Sequence, residues 1–309
     1  MSADCTQSYS HSTAVAKYEI YLDNSLHWLQ TAQRNSIHAV VTDPPYTVVD
    51  FSPEELKKMR AGSGGIWRLP PTIGGSKRKP LPRFTVLTNE QLNALSAFFE
   101  EWGQVLYPSL VPGAHVAVAS NPFVSPWVQL AMYRAGFEVR GQIIRLYRTF
   151  RGGDRPKNRE KDFPHLQTTL RGAHEPWLLF RKPIEQGLTV AENLEKWGAG
   201  ALKRADESTP FADVVPSGKT PKEEFLIGAH PTQKPIAFLL RLVSLLTPCP
   251  GNILLDPFMG SGSTIAAAAS LGYFSIGIEV DEIFYRFAKS GIPKLIKIAS
   301  RTALQPELI

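Results

Sequence analysis

The sequence has few of the features that mark secreted, zinc-binding or membrane-spanning proteins. Its 309 residues include two cysteines, Cys5 and Cys249, which lie far apart and lack metal-ligand spacing, so we expect neither a disulfide scaffold nor a zinc site. No run reaches about 18 apolar residues, which argues against a transmembrane helix. The chain begins with a polar segment that has no basic part followed by an apolar one, so we expect no secretory signal peptide. These absences predict a soluble cytoplasmic protein without a membrane partner.

Acidic residues are fewer than basic ones, and the imbalance is local. The chain has 34 Lys and Arg against 28 Asp and Glu, a net charge of +6, which favours a polyanionic partner. Residues 57–83 hold eight Lys or Arg, five glycines and no acid, and residues 140–171 hold nine basic residues against three acids. Such runs suit contacts to nucleic-acid phosphates, although a solvated surface is the alternative for each.

Apolar strand-like segments alternate with helix-like segments along most of the chain. This alternation predicts an open α/β fold with a mainly parallel sheet that helices cover on both faces. Residues 1–16 are predicted to be a disordered tail, and residues 17–309 to form one domain. The predicted strands lie near 18–22, 39–41, 115–119, 142–147, 177–180, 253–255 and 274–278, and the two clearest helices near 89–107 and 264–271.

The most informative motif is Asp43-Pro44-Pro45-Tyr46, which follows the apolar segment 39–42. Valine-rich segments favour buried strands, and prolines end them because proline donates no hydrogen bond to a sheet. Open α/β sheets bind ligands at the carboxyl ends of their strands, so this strand should place a carboxylate, two carbonyls and a ring there. Acceptors beside a stacking ring suit a flat, amino-bearing substrate such as a nucleobase. A plain strand-ending turn is the alternative.

A second motif, within residues 253–264, combines an apolar strand, a glycine turn and an alanine-rich helix. Gly260 and Gly262 allow the backbone to approach a ligand closely, and Glu279 follows the next strand at 19 residues from Gly260, as a ribose-binding acid would. Ile265 stands where a dinucleotide fingerprint needs a third glycine, and no Lys follows Gly262 as a phosphate loop requires. An adenosine compound without phosphates therefore fits best.

A third motif, residues 230–235, has the sequence His-Pro-Thr-Gln-Lys-Pro and precedes the apolar stretch 236–246. Thr232 and Lys234 at a helix start could hold a carboxylate by charge and by helix-end amides. A simple N-terminal helix cap is the alternative.

Together the three motifs resemble those of S-adenosylmethionine-dependent DNA amino-methyltransferases, the N6-adenine/N4-cytosine family, in its β arrangement. The motif order is 43–46, then 230–235, then 256–264, and weaker similarity extends over roughly residues 17 to 295. The resemblance implies a Rossmann-like methyltransferase sheet of seven strands in permuted order, and S-adenosylmethionine as the cofactor, with no metal.

The resemblance also implies roles for individual residues. Asp43 and the Pro44 carbonyl would accept the hydrogens of the target amine, next to Pro45, and Tyr46 would stack on a base flipped out of the duplex. Asp23 is the candidate for the cofactor adenine, with an ordinary helix N-cap as the alternative. The implied cofactor-binding residues are Asp23, Asp256, Phe258, Gly260, Gly262, Glu279, Thr232 and Lys234.

Adenine N6 is the favoured target, because family members acting on cytosine N4 more often carry Ser in place of Asp43. Cytosine N4 remains the nearest alternative. Methylation of RNA or of a protein amide and a non-catalytic DNA-binding protein of the same fold are the others.

Double-stranded DNA is the expected partner. A basic loop, residues 47–85, is expected beside the active site, and residues 181–229 are expected to recognise the target, with a connecting loop on the cofactor side as the alternative. A homodimer and a cognate restriction endonuclease are further partners that the family resemblance leaves open. The candidate DNA-contacting residues are Lys57, Arg60, Trp67, Arg68, Lys77, Arg78, Lys79, Arg148, Arg151, Arg155 and Lys157.

Overall fold

The computed structural model describes residues 18–45, 72–73, 76–77, 87–147, 155–156, 158–228 and 233–304. The strands within these ranges are β1 (Tyr18–Leu22), β2 (Ile37–Thr42), β3 (Thr72–Ile73), β4 (Ser76–Lys77), β5 (Leu110–Ala119), β6 (Glu138–Leu146), β7 (His174–Arg181), β8 (Val214–Pro216), β9 (Ile253–Asp256) and β10 (Phe274–Glu279). The α-helices are α1 (Ser25–Thr31), α2 (Asn89–Leu106), α3 (Ser125–Arg134), α4 (Val190–Trp197), α5 (Lys222–Gly228), α6 (Ile236–Leu246), α7 (Ser263–Ser270) and α8 (Glu282–Ala303).

Eight strands form one mixed sheet in the order β1-β10-β9-β2-β5-β7-β6-β8, and β3 pairs with β4 in a separate hairpin. The run from β1 to β5 is parallel, whereas β7 is antiparallel to both β5 and β6. Val40 of β2 pairs with Leu255 of β9 on one side and with Val116 of β5 on the other. The carboxyl ends of β2 and β9 are therefore neighbours at one edge of the sheet.

Each face of the sheet has its own core, as the alternation of side chains along a strand requires. Ala39 and Val41 of β2 belong to a cluster with α6, α7 and α8, whereas Val40 belongs to a cluster with α2 and α3. The predicted α/β fold with helices on both faces is thus confirmed. All seven predicted strands lie in the sheet, and the three-residue β8 adds an eighth at its edge.

One of the two cysteines lies within the described residues. Cys249 is fully buried and disulfide-bonded. A single bond is not a scaffold of several disulfides, so the expectation of no such scaffold stays a prediction. Among the described residues, no helix is both long enough and apolar enough to span a bilayer.

Candidate active site

The strand ends that carry the first two motifs meet in one pocket. The Thr42 hydroxyl at the end of β2 donates to Oδ1 of Asp256 at the end of β9, at 2.7 Å. The pocket is lined by Asp43, Gln233, Lys234, Leu239, Asp256, Phe258, Met259, Gly260, Ser261, Ser263 and Thr264. The structure thus brings residues from all three motifs together at the carboxyl edge of the sheet.

The turn between β9 and α7 requires glycine at Gly262, both for its backbone conformation and for lack of space. Gly262 has a φ of 80°, and a Cβ there would lie 2.5 Å from Cγ1 of Ile292 on α8. Gly260 donates its backbone N–H to Oε2 of Glu279 at 2.9 Å. The backbone turn therefore packs against α8 on one side and borders the pocket on the other.

Glu279, the last residue of β10, and Asp23, the first residue after β1, are neighbours. The backbone N–H of Asp23 donates to the Glu279 carbonyl at 3.1 Å. Burial raises the pKa of Glu279, whereas the hydrogen bond with His27 lowers the pKa of Asp23. Asn24, not Asp23, caps α1, since its side chain accepts from the Leu26 N–H at 2.9 Å. The N-cap alternative therefore applies to Asn24.

Asp256 ties the two strand ends together. It is 2% exposed, and its Oδ1 accepts both the Thr42 hydroxyl and the Phe258 N–H, the latter at 3.2 Å. Burial raises its pKa to about 7. Phe258 lines the pocket and also packs on the aromatic rings of Phe98 and Trp102, with centroids 6.3 and 5.9 Å away.

Lys234 lies between two carboxylates. Its Nζ donates to Oδ2 of Asp43 at 2.5 Å and lies 3.1 Å from Oε1 of Glu175. Burial alone would lower the pKa of Lys234, but the charges of Asp43 and Glu175 outweigh burial and raise it. This ammonium thus contacts both Asp43, the predicted catalytic acid, and Glu175, and binding of a cofactor carboxylate stays a prediction.

Two buried polar atoms in the pocket indicate what kind of ligand it could hold. Among the described residues, Oγ of Ser263 and Oε1 of Gln233 are buried without a hydrogen-bond partner, and both residues line the pocket. Buried polar atoms are nearly always hydrogen-bonded in folded proteins. A ligand with polar groups, such as an amino acid joined to adenosine, fits atoms of this kind.

A sequence model of the N6/N4 methyltransferase family, described as DNA methylase, matches residues 37–290. The chain belongs to this family. Members transfer a methyl group from S-adenosylmethionine to DNA, so the protein is an S-adenosylmethionine-dependent DNA methyltransferase.

Individual relatives agree with this assignment. The methyltransferase is 26% identical over 300 residues to the Type II methyltransferase M.HindIII of Haemophilus influenzae, covering 89% of this chain and 96% of that protein. Its fold is similar to that of M1.HpyAVI in complex with SAM, with a TM-score of 0.52, 19% identity, and coverage of 88% of this chain and 98% of the other. It also resembles the cytosine-N4-specific PvuII DNA methyltransferase, with a TM-score of 0.59, 13% identity, and coverage of 93% and 92%.

Part of the predicted site lies outside the described residues. These positions are Tyr46, Lys57, Arg60, Trp67, Arg68, Arg78, Lys79, Arg148, Arg151, Lys157 and Thr232, together with the side chain of Lys77. Arg155 is described and exposed. The DNA-contacting roles of Trp67 and the basic residues, the stacking role of Tyr46 and the cofactor-binding role of Thr232 stay predictions.

The predicted target-recognition segment is divided between the two edges of the sheet. Its first part, with α4, lies where the parallel strands begin: Nδ2 of Asn193 donates to the Pro112 carbonyl at 3.0 Å, and Gly198 accepts from Asn252 at 3.1 Å. Its last part returns to the pocket, because Gly228 lies next to Ser261 and Gln233. Thr220 donates to the Gln233 carbonyl and the Glu224 carbonyl accepts from the Gln233 side chain, so residues 220–228 are the part of the segment near the site.

Sequence reasoning missed that Glu175 and Arg145 are connected with Asp43 through Lys234. Nε of Arg145 donates to Oγ of Ser217 at 2.9 Å and its Nη1 donates to Glu175 at 3.0 Å. Arg145 belongs to the basic run 140–171, but its partners Glu175 and Ser217 lie 30 and 72 residues away in the sequence. No local signal connects such residues.

Proposed function

We propose that the protein methylates the exocyclic N6 amine of adenine in duplex DNA. The observation that carries this proposal is the presence of Asp43 and the Gly260 turn in one pocket. A methyl donor bound at the glycine turn and an amine bound at Asp43 would then be close enough to react. Positioning of this kind can supply much of a transfer reaction.

The residues of the pocket suit the chemistry of an exocyclic amine. The amino lone pair of adenine is delocalised into the ring, so the nitrogen is a weak nucleophile. Carboxylate oxygens of Asp43 and the carbonyl of Pro44, by accepting the two amine hydrogens, would favour tetrahedral geometry and localise the pair. S-adenosylmethionine supplies the electrophilic methyl group when bound. Ser263, Gln233, Glu279 and the Gly260 turn are the groups proposed to hold it.

The target base must leave the duplex to reach this pocket, at a cost of a few kcal/mol. We propose that Tyr46 offsets part of this cost by stacking, which contributes about 1–3 kcal/mol per base. The basic loop 47–85 and the cluster around Arg155 are proposed to contact phosphates. Within the predicted recognition segment, we propose that residues 220–228 face the target, since they lie near the pocket.

We also propose a biological role, a cellular location and an assembly for the protein. M.HindIII is a Type II methyltransferase, which favours a restriction–modification role with a cognate endonuclease in the cytoplasm. A homodimer is the proposed assembly.

The test is transfer of a labelled methyl group from S-adenosylmethionine to duplex DNA, followed by digestion of the DNA to nucleosides. We expect the label in N6-methyldeoxyadenosine. Label in N4-methyldeoxycytidine would contradict the adenine assignment and keep the reaction class. The DNA should come from a strain whose genome carries no methylated amino groups. If no label is transferred to such duplex DNA, the proposed activity is contradicted.

A further inference from the structure

Four charged side chains of alternating sign run from the pocket into the sheet. In order they are Asp43, Lys234, Glu175 and Arg145. The side chains of Asp43 and Lys234 are 17% and 9% exposed, and those of Glu175 and Arg145 are 20% and 5% exposed. Charges this well buried are costly unless paired, and here each has a partner of opposite sign.

Glu175 uses its two oxygens for two different cations. Its Oε1 lies 3.1 Å from Nζ of Lys234, whereas its Oε2 accepts from Nη1 of Arg145 at 3.0 Å and from Nε1 of Trp177 at 3.3 Å. Burial alone would raise the pKa of Glu175, but Lys234 and Arg145 outweigh it and lower the pKa. Glu175 is therefore a carboxylate at the centre of the cluster.

Arg145 lies at the end of this series of charges that is farthest from Asp43, and several groups hold it in place. Besides Glu175, it donates to Oγ of Ser217 at 2.9 Å and to the Gly218 carbonyl at 3.0 Å. Its guanidinium also lies over the rings of Tyr147 and Phe238, with centroids 4.7 and 5.3 Å away. These groups hold the guanidinium of Arg145 in one position. Its hydrogen bond to Glu175 therefore holds the Glu175 carboxylate in place as well.

We propose that Glu175 is a positioning residue for methyl transfer, which divides the charge of Lys234 between itself and Asp43. This inference rests on the proposed function, in which Asp43 accepts the hydrogens of the amine. A lysine paired with Asp43 alone would neutralise that carboxylate and weaken it as an acceptor. A lysine shared with Glu175 holds Asp43 in place and leaves it more negative.

The competing account is an ion pair that stabilises the sheet and does nothing for the reaction. The β6/β7 pair offers a matched control, because Glu138 forms an ion pair with Arg181 at 2.7 Å at the opposite end of the same two strands. Asp256 also interacts electrostatically with Asp43. It stays unchanged in every variant below.

The experiment measures single-turnover methyl transfer to duplex DNA for Glu175→Gln, Glu138→Gln, Lys234→Met and the double variant Glu175→Gln/Lys234→Met. Dissociation constants for S-adenosylhomocysteine and for DNA are measured on the same preparations. We expect Glu175→Gln to slow transfer about 10- to 100-fold, the scale of a misplaced reacting group, with both dissociation constants within about twofold of wild type. Glu138→Gln should transfer at the wild-type rate. The double variant should be no slower than Lys234→Met, since Glu175 acts through Lys234.

Three results would overturn the inference: wild-type transfer by Glu175→Gln, a loss confined to ligand affinity, or a full additional loss on top of Lys234→Met. If Glu175→Gln does not fold, Glu175→Asp decides, because it keeps the charge at a shorter reach. Slower transfer by that variant with unchanged affinities supports the inference, and wild-type transfer overturns it. A wild-type protein that methylates no DNA, or an Asp43→Ala variant with normal transfer, would instead overturn the proposed function.

Discussion

The two edges of the parallel sheet use buried polar groups in different ways. At the edge where the parallel strands begin, Lys182 donates to Asn35 and to the carbonyls of Tyr107 and Leu110, at 3.3, 3.0 and 2.7 Å. The partners there are largely backbone groups. At the carboxyl edge, Asp43 and Glu175 share one lysine, and Ser263 has a buried hydroxyl without a partner among the described residues. Satisfied polar groups stabilise a fold, whereas shared and unsatisfied ones mark a site prepared for a ligand.

The largest expected effect is at the carboxyl edge. Asp43→Ala should abolish methyl transfer, by about 10³-fold or more, because the amine loses its main acceptor. Binding of S-adenosylhomocysteine, measured by calorimetry, should survive within a few fold. Normal turnover in this variant would contradict the role of Asp43.

The reverse pattern is expected at the opposite edge. Lys182→Met should lower the free energy of unfolding by about 2–3 kcal/mol, because buried carbonyls lose their donor. Urea denaturation provides the measurement, and the transfer rate per folded molecule should stay at the wild-type value. A loss of rate without a loss of stability would contradict the distinction between the edges.

Two glycines with the same φ separate backbone strain from site geometry. Gly251 lies before β9 and Gly262 after it, both at a φ of 80°, but a Cβ at Gly251 would meet nothing within 4 Å, whereas one at Gly262 would meet Ile292. The positive φ alone should make each Ala variant less stable by about 1–2 kcal/mol, and the contact with Ile292 should destabilise Gly262→Ala further. Gly262→Ala alone should also weaken S-adenosylhomocysteine binding about tenfold or more. Equal binding by both variants would show that the glycine turn does not shape the pocket.

Another expected effect concerns pH. Burial raises the pKa of Asp256 to about 7 in the folded protein, above its ordinary value of 3.8. The folded state therefore binds more protons between these values, so this contribution to stability is complete below about pH 4 and is lost as pH rises through about 7. Asp256→Asn should reduce the decline in the free energy of unfolding over this interval, by up to about 1.4 kcal/mol per pH unit. Denaturation at several pH values is the measurement.

Glu224 provides the matched comparison. Burial also raises its pKa to about 7, but its carboxylate accepts from the Ile236 N–H at the start of α6, at 2.9 Å. Glu224→Gln should change the same pH interval in the same direction. An unchanged pH dependence in both variants would contradict the account of these buried carboxyls.

The strands and the motif positions were predictable because their signals are local. The apolar segment before Asp43 is ended by two prolines, and the strand before Gly260 is ended by a glycine turn. The rule that ligands bind at the carboxyl ends of parallel strands then placed both motifs at one edge. The convergence of the motifs is confirmed by the pocket they share.

What escaped prediction depends on contacts between distant segments. The Lys234–Asp43 hydrogen bond joins residues 191 positions apart, and β8 is three residues long and exists by pairing with β6. Helix α4 was not predicted, although a local sequence pattern marks it. Thr189 and Glu192 form a capping box at its start, and Gly198 ends it.

The most direct test of the account is a crystal structure of the protein with S-adenosylhomocysteine. The account predicts that the ligand lies along the Gly260 turn with its sulfur directed toward Asp43, and that its amino-acid part meets Ser263 or Gln233. A ligand bound elsewhere on the molecule, with Asp43 out of reach of its sulfur, would contradict the claim that the early and late motifs form one reaction site.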